Sequence, residues 1–165
     1  MSTKKIAMLG MLTALYVVLS AFLKFTIFSN IMVDLGYLVY TFALCLFGYY
    51  GIIVGVLGCA LESILFSAYG FSISWVAANL VIGILCAAIL HRKDEHLWLK
   101  ILVIVISVAF GMIVVKTCIE CPLYKIPPAV KLPKNAVAFG VDTVAMLIGL
   151  FFYQLVHKRI ERFVE

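Results

Sequence analysis

The chain has 165 residues, of which 65% are hydrophobic and only 13% charged, with a formal net charge of +5; mean hydropathy is +1.18. A soluble domain averages about 45–50% apolar and about 25% charged residues, so an aqueous fold of this length has no interior large enough for so much apolar surface, and lipid is the solvent for most of it. The positive balance comes from lysines and arginines flanking apolar segments, which gives no support to nucleic-acid binding.

Behind Lys4 and Lys5 an apolar run continues to about residue 28. A secretory leader has an apolar core of about 7–15 residues ending in a small-residue cleavage site, so this run is expected to be a retained first span over about 6–28. Ala7, Gly10, Thr13, Ala14, Ser20 and Ala21 interrupt its bulky residues. Gly10 and Ala14 lie one turn apart on one face, with Ala7 near the same stripe, and in lipid such a groove lets another backbone approach closely. Packing within the bundle is the competing reading of that stripe.

Residues 34–70 are too long for one span and long enough for two, at about 34–47 and 51–69, if Gly48-Tyr49-Tyr50-Gly51 is the turn. The glycines at 51, 55 and 58 give the third helix a small face suited to internal packing. Further spans are expected at about 73–90, 97–118 and 136–156, making an all-α membrane protein, a single six-helix domain. An even count puts both termini on one side. Lys4, Lys5, Arg92, Lys93, Lys158, Arg159 and Arg162 fall there, which the positive-inside bias marks as cytoplasmic. The opposite connection, residues 120–134, carries Lys125, Lys131, Lys134 and all four prolines (122, 127, 128 and 133). It reads as a stiff, non-helical cover, either a plain connector or a lid over a binding site.

A charge at mid-bilayer costs about 2.5–3.5 kcal/mol on insertion scales, so one kept there faces a cavity or a partner. On this topology Glu62 and Asp142 lie in the outer halves of their helices, and Lys24, Asp34, Lys116 and Glu120 near outer ends, while the inner half is nearly charge-free. A pocket open to the outside explains the pattern economically. Glu62, Lys116 and Asp142 are its candidate substrate-binding charges, with Trp75, Asn79, Tyr37, Tyr40 and Tyr69 near the same depth. Rings plus an amide suit a flat heteroaromatic solute; the lysines favour an anionic or zwitterionic one, and the carboxylates accept donors from a ring amine or hydroxyl. The alternatives are structural ion pairs of Glu62 and Asp142 with Lys24 or Lys116, Asp34 as a helix cap, and Tyr and Trp as interfacial belts.

Other chemistries have little to stand on. No G-x-x-x-x-G-K-[ST] phosphate cradle exists, and no two histidines sit one turn apart inside a span, so neither ATP hydrolysis nor a metal or haem centre is expected. Cys118-Ile-Glu-Cys121 fits a membrane thiol oxidoreductase, yet such a relay needs a second thiol pair, and Cys45, Cys59 and Cys86 sit on three different helices. A self-sufficient carrier or channel remains as a rival, without the internal repeat that carriers often show.

Three segments carry a family resemblance: IAMLGMLTALYVVLS, FGYYGIIVGVLGCALE and FSISWVAANLVIGIL. Together with the span count they resemble the substrate-binding S components of energy-coupling factor (ECF) vitamin transporters. The resemblance implies a multi-pass protein of the bacterial plasma membrane, without catalytic residues or cofactors, that binds a water-soluble micronutrient near the outer surface. It further implies docking on a transmembrane T component through Ala7, Gly10 and Ala14, and a pair of cytosolic ATPases that drive the cycle. Folate-like and pantothenate-like solutes both fit, and the sequence does not separate them.

Overall fold

In lipid each backbone N–H and C=O must find its partner inside the segment, so long apolar runs fold as helices. The computed structural model describes residues 3–22, 25–27, 31–66, 70–92 and 95–164, with the backbone alone described for 25–27, 31–33 and 158–164. Lys24, Tyr69 and Lys93 lie outside the described residues. In chain order the helices are α1 (Thr3–Phe22), α2 (Gly36–Phe47), α3 (Ile52–Phe66), α4 (Ile73–Leu90), α5 (Leu97–Ala109), α6 (Lys116–Tyr124) and α7 (Pro128–Val164). Among the described residues five stretches are long and apolar enough to cross a membrane: Thr3–Phe22, Gly36–Phe66, Ile73–Leu90, Leu97–Tyr124 and Pro128–His157.

The second of these stretches contains both α2 and α3. A 3-10 turn, Gly48–Gly51, joins them, and Gly48 adopts φ 57°, ψ −126°, a conformation that a residue with a β-carbon rarely takes. The chain folds back there: a β-carbon on Gly51 would come 2.5 Å from the carbonyl oxygen of Ala43. The expected turn at residues 48–51 is therefore present.

Two expectations need correction. The first helix stops at Phe22 instead of running to about residue 28, and Phe25–Ile27 pairs antiparallel with Ile31–Val33 in a two-stranded ribbon. Both triplets consist of β-branched, aromatic or Met residues, which suit an extended, pleated backbone better than a helix. The connection 120–134 is mostly helical, not a non-helical cover. α6 runs through Pro122 to Tyr124, and α7 starts at Pro128, where the first turn of a helix has no use for the missing N–H. Lys125, left-handed at φ 52°, closes α6 by donating its N–H to the Cys121 carbonyl.

Two tyrosines organise the N-terminal half. Tyr16 of α1 packs where a β-carbon on Gly58 would come 2.5 Å from its ring and one on Gly36 2.9 Å. Tyr40 of α2 fills the space beside Gly55 of α3 and Gly83 of α4, and its hydroxyl donates to the Asn79 carbonyl at 2.6 Å. The glycine face of α3 is thus spent on internal packing, as its sequence suggested. α7 packs mainly along α2, and α4 lies between α3 and α5.

Candidate functional site

Between α5 and α6 the continuous helix opens into a π-helical turn, Phe110–Val115. Its effect is visible in which side chains face inward. Ile104, Ser107, Val108, Gly111 and Met112 are buried, and a regular 3.6-residue repeat would next bury 114–115 and 118–119. The buried residues are instead Lys116, Thr117 and Glu120, while Val114 and Cys118 are exposed. The wider turn advances the inward stripe by about one residue and so aims an ammonium and a carboxylate at the bundle interior.

There Lys116, 4% exposed, places Nζ 3.3 Å from the centroid of the Trp75 ring of α4. A desolvated cation–π contact of this kind is worth about 2 kcal/mol. No ion pair to Lys116 is formed among the described residues, although Glu120 and Asp142 both lie within electrostatic reach. Glu120 is engaged elsewhere: Ser74 Oγ donates to its Oε1 at 3.1 Å and Lys131 Nζ holds its Oε2 at 3.1 Å. Asn135 Nδ2 donates to Thr117 Oγ1 at 2.9 Å, tying α7 to α6 at the residue next to Lys116.

Asp142, 1% exposed on α7, completes the cluster with an Oδ2 that has no hydrogen-bond partner. Neither amide atom of Asn79 has one either, although that side chain lies beside the Cys59 thiol, and the hydroxyls of Tyr37 and Thr143 are likewise unpartnered. A buried polar atom left unpaired costs about 1–3 kcal/mol. The hydroxyls of Tyr16 and Ser20 on α1 are unpartnered too, so such atoms are spread over α1, α2, α4 and α7; Asp142 is the charged one among them and lies within electrostatic reach of Lys116.

The expected site residues separate on this geometry. Trp75, Lys116 and Asp142 are brought together, and Tyr37, which senses the Asp142 charge, and Asn79 are buried with free polar atoms. Tyr40 is fully buried and commits its hydroxyl to the backbone, so it is neither an interfacial belt residue nor available to a ligand in this arrangement. Glu62 is buried on α3, which packs on α1 and α4; the charged groups around Lys116 are Glu120, Asp142, Lys131 and Lys134 instead. Asp34 accepts the Gly36 N–H at 2.8 Å and so caps the start of α2. Glu120, Lys131, Ser74 and Asn135 were not foreseen as a unit; the four-residue spacing of Lys116 and Glu120 was the one available signal, since it puts both on one helical face.

On α1, Ala7, Gly10 and Ala14 are exposed, opposite the buried Leu9, Thr13, Tyr16 and Ser20. A β-carbon on Gly10 would meet nothing within 4 Å. The small stripe therefore faces outward and is not used by the bundle's own packing. Cys118 and Cys121 are free thiols on α6. Among the described residues no group of three or more metal-ligating side chains converges. A cavity of about 430 Å³ opens beside the 48–51 turn, lined by Tyr49, Tyr50, His91 and Arg92 among others. It belongs to the far end of α4 from Trp75, about 24 Å along the helix axis for sixteen residues.

The model of one family, "ECF-type riboflavin transporter, S component", matches residues 1–159. The fold is similar to that in a structure described as the crystal structure of FolT bound with folic acid, with a TM-score of 0.72 and 20% sequence identity over 90% of this chain and 94% of that one. No curated protein sequence matches the chain. The chain belongs to the ECF-type riboflavin transporter S component family, a multi-pass membrane protein and a vitamin-binding transport subunit rather than an enzyme.

Proposed function

We propose that this family member captures riboflavin, or a vitamin of closely similar flat heteroaromatic shape, at the cluster formed by Trp75, Lys116, Asp142, Asn79 and Tyr37. The observation that carries the reading is a buried ammonium seated on the Trp75 ring, with the unpartnered carboxylate oxygen of Asp142 within its electrostatic reach. The ring system of riboflavin is planar, and one edge offers two carbonyl acceptors on either side of an N–H donor. Trp75 supplies a stacking surface, Lys116 a donor for a carbonyl and Asp142 Oδ2 an acceptor for the N–H; Asn79, Tyr37 and Thr143 can serve the polyol chain. Glu62 is buried on α3, where its charge acts on Cys59, the thiol beside Asn79.

In this reading the chain crosses the membrane six times, with α2 and α3 as separate crossings and both termini in the cytoplasm of a bacterial plasma membrane. The exposed stripe Ala7, Gly10 and Ala14 docks on a T component, and two cytosolic ATPases power release. A folate-like solute is the second reading, favoured by Lys125, Lys131 and Lys134 near the mouth, which suit carboxylates. Native mass spectrometry of the protein purified from cells grown in rich medium tests both. A retained adduct with the mass of riboflavin is expected; a folate mass selects the second reading, and an unrelated adduct contradicts both.

A further inference from the structure

The Trp75 ring face is already occupied. The Lys116 ammonium lies 3.3 Å from its centroid, too close for a ligand ring to slide between them, and it has no ion-pair partner to hold it there among the described residues. Its two nearest carboxylates are differently placed: Glu120 is bound to Lys131 and Ser74, while Asp142 keeps a bare oxygen. An ammonium whose one direct contact is an indole face, with Glu120 and Asp142 acting only at longer range, can be exchanged for any flat π-surface that also offers it an oxygen acceptor.

We propose that Lys116 is a resident plug, which a flat ligand displaces from Trp75 and then recruits as a hydrogen-bond donor. The ligand ring takes over the indole face, and the ammonium swings from that face to an acceptor on the ring's edge. The exchange selects for ligands that combine a stackable ring with an adjacent carbonyl or carboxylate. An apolar ring without an acceptor strands the ammonium in the interior, and an acceptor without a ring leaves the plug in place. This rests on the placement of the vitamin site at the same cluster.

Tryptophan fluorine NMR distinguishes the two ideas. The chain has two tryptophans, and Trp98 is 81% exposed. Trp98→Phe therefore leaves Trp75 as the single position for 5-fluorotryptophan. The resonance is recorded in this background with and without Lys116→Met, each in the absence of ligand and saturated with riboflavin, whose binding is followed separately by quenching of flavin emission. The two proteins are expected to differ in fluorine shift without ligand, because only one has an ammonium on the ring, and the difference should close on saturation. A difference of the same size with riboflavin bound would mean the ammonium never leaves, which overturns the plug and leaves the site reading standing. Equal shifts without ligand also overturn it. Absence of riboflavin binding to the protein with Lys116 intact overturns the site reading and the plug with it.

Discussion

Where α1, α2, α3 and α4 meet, tyrosine rings fill notches left by glycines; where α4, α6 and α7 meet, ammonium, carboxylate and amide groups do the filling. In the first region Tyr40 places its hydroxyl on a backbone carbonyl, while the hydroxyls of Tyr16 and Ser20 are buried without a partner. The second carries Asp142 and Asn79 with bare polar atoms in a membrane interior, where each costs free energy. The first region fits rings to glycine notches and leaves two hydroxyls unpaired, whereas the second leaves a carboxylate oxygen and a whole amide unpaired. In the proposed reading a ligand satisfies the unpaired carboxylate and amide, and a neighbouring subunit covers the outward face of α1.

That contrast can be broken at several points. Gly55→Val should have the largest effect, because the new side chain needs the space occupied by the Tyr40 ring and neither α3 nor α4 can yield alone. Overpacking of this severity costs about 3 kcal/mol or more, so thermal unfolding in detergent should show a midpoint lower by roughly 6–12 °C or no folded protein at all. Gly10→Leu should act in the opposite sense. A side chain there meets nothing within 4 Å, so stability and ligand binding should stay within twofold, while vitamin uptake by cells that supply the other subunits is abolished. Lys116→Ala removes the cation–π contact and a ligand donor, and titration should show affinity falling by roughly tenfold to a hundredfold with little change in unfolding temperature. Glu62→Gln sharpens the boundary between the regions. Sited on α3 and not among the charged neighbours of Lys116, it should weaken binding by about threefold or less, as a change in a more distant charge would.

Much of the fold was legible because lipid imposes a simple rule. The span at residues 73–90 coincides with α4, and the glycine pair at 48 and 51 marked the turn between α2 and α3. What escaped were the places where local backbone chemistry overrode the apolar count. β-branched and aromatic triplets ended α1 at Phe22 and formed a ribbon, and prolines 122, 128 and 133 were absorbed into helices, two of them inside and one at a first turn. The charged candidates Lys116 and Asp142 could be read from the expense of placing them in lipid, and the structure brings them to one neighbourhood with Trp75. That the charged groups within reach of Lys116 include Glu120, Lys131 and Lys134 could not be read, because it depends on which helices touch. Nor could the π-helical turn, which shifts the inward face of α6 by about one residue and has no marker in the sequence.

The outward stripe on α1 illustrates the reverse case. Small residues four apart can serve internal or external packing equally well, and only the burial of Leu9, Thr13 and Tyr16 on the other face decides for the outside. Glycines 55 and 58 show the same composition with the opposite use, since Tyr40 and Tyr16 fill them.

The most direct measurement is a titration of riboflavin into the purified protein and its Asp142→Asn variant, read by loss of flavin emission. Saturable one-to-one quenching by the unsubstituted protein, weakened at least tenfold by an amide at the atom now lacking a partner, is the predicted result. Quenching of equal affinity in both proteins, or none in either, would contradict the placement of a vitamin between Trp75 and Asp142.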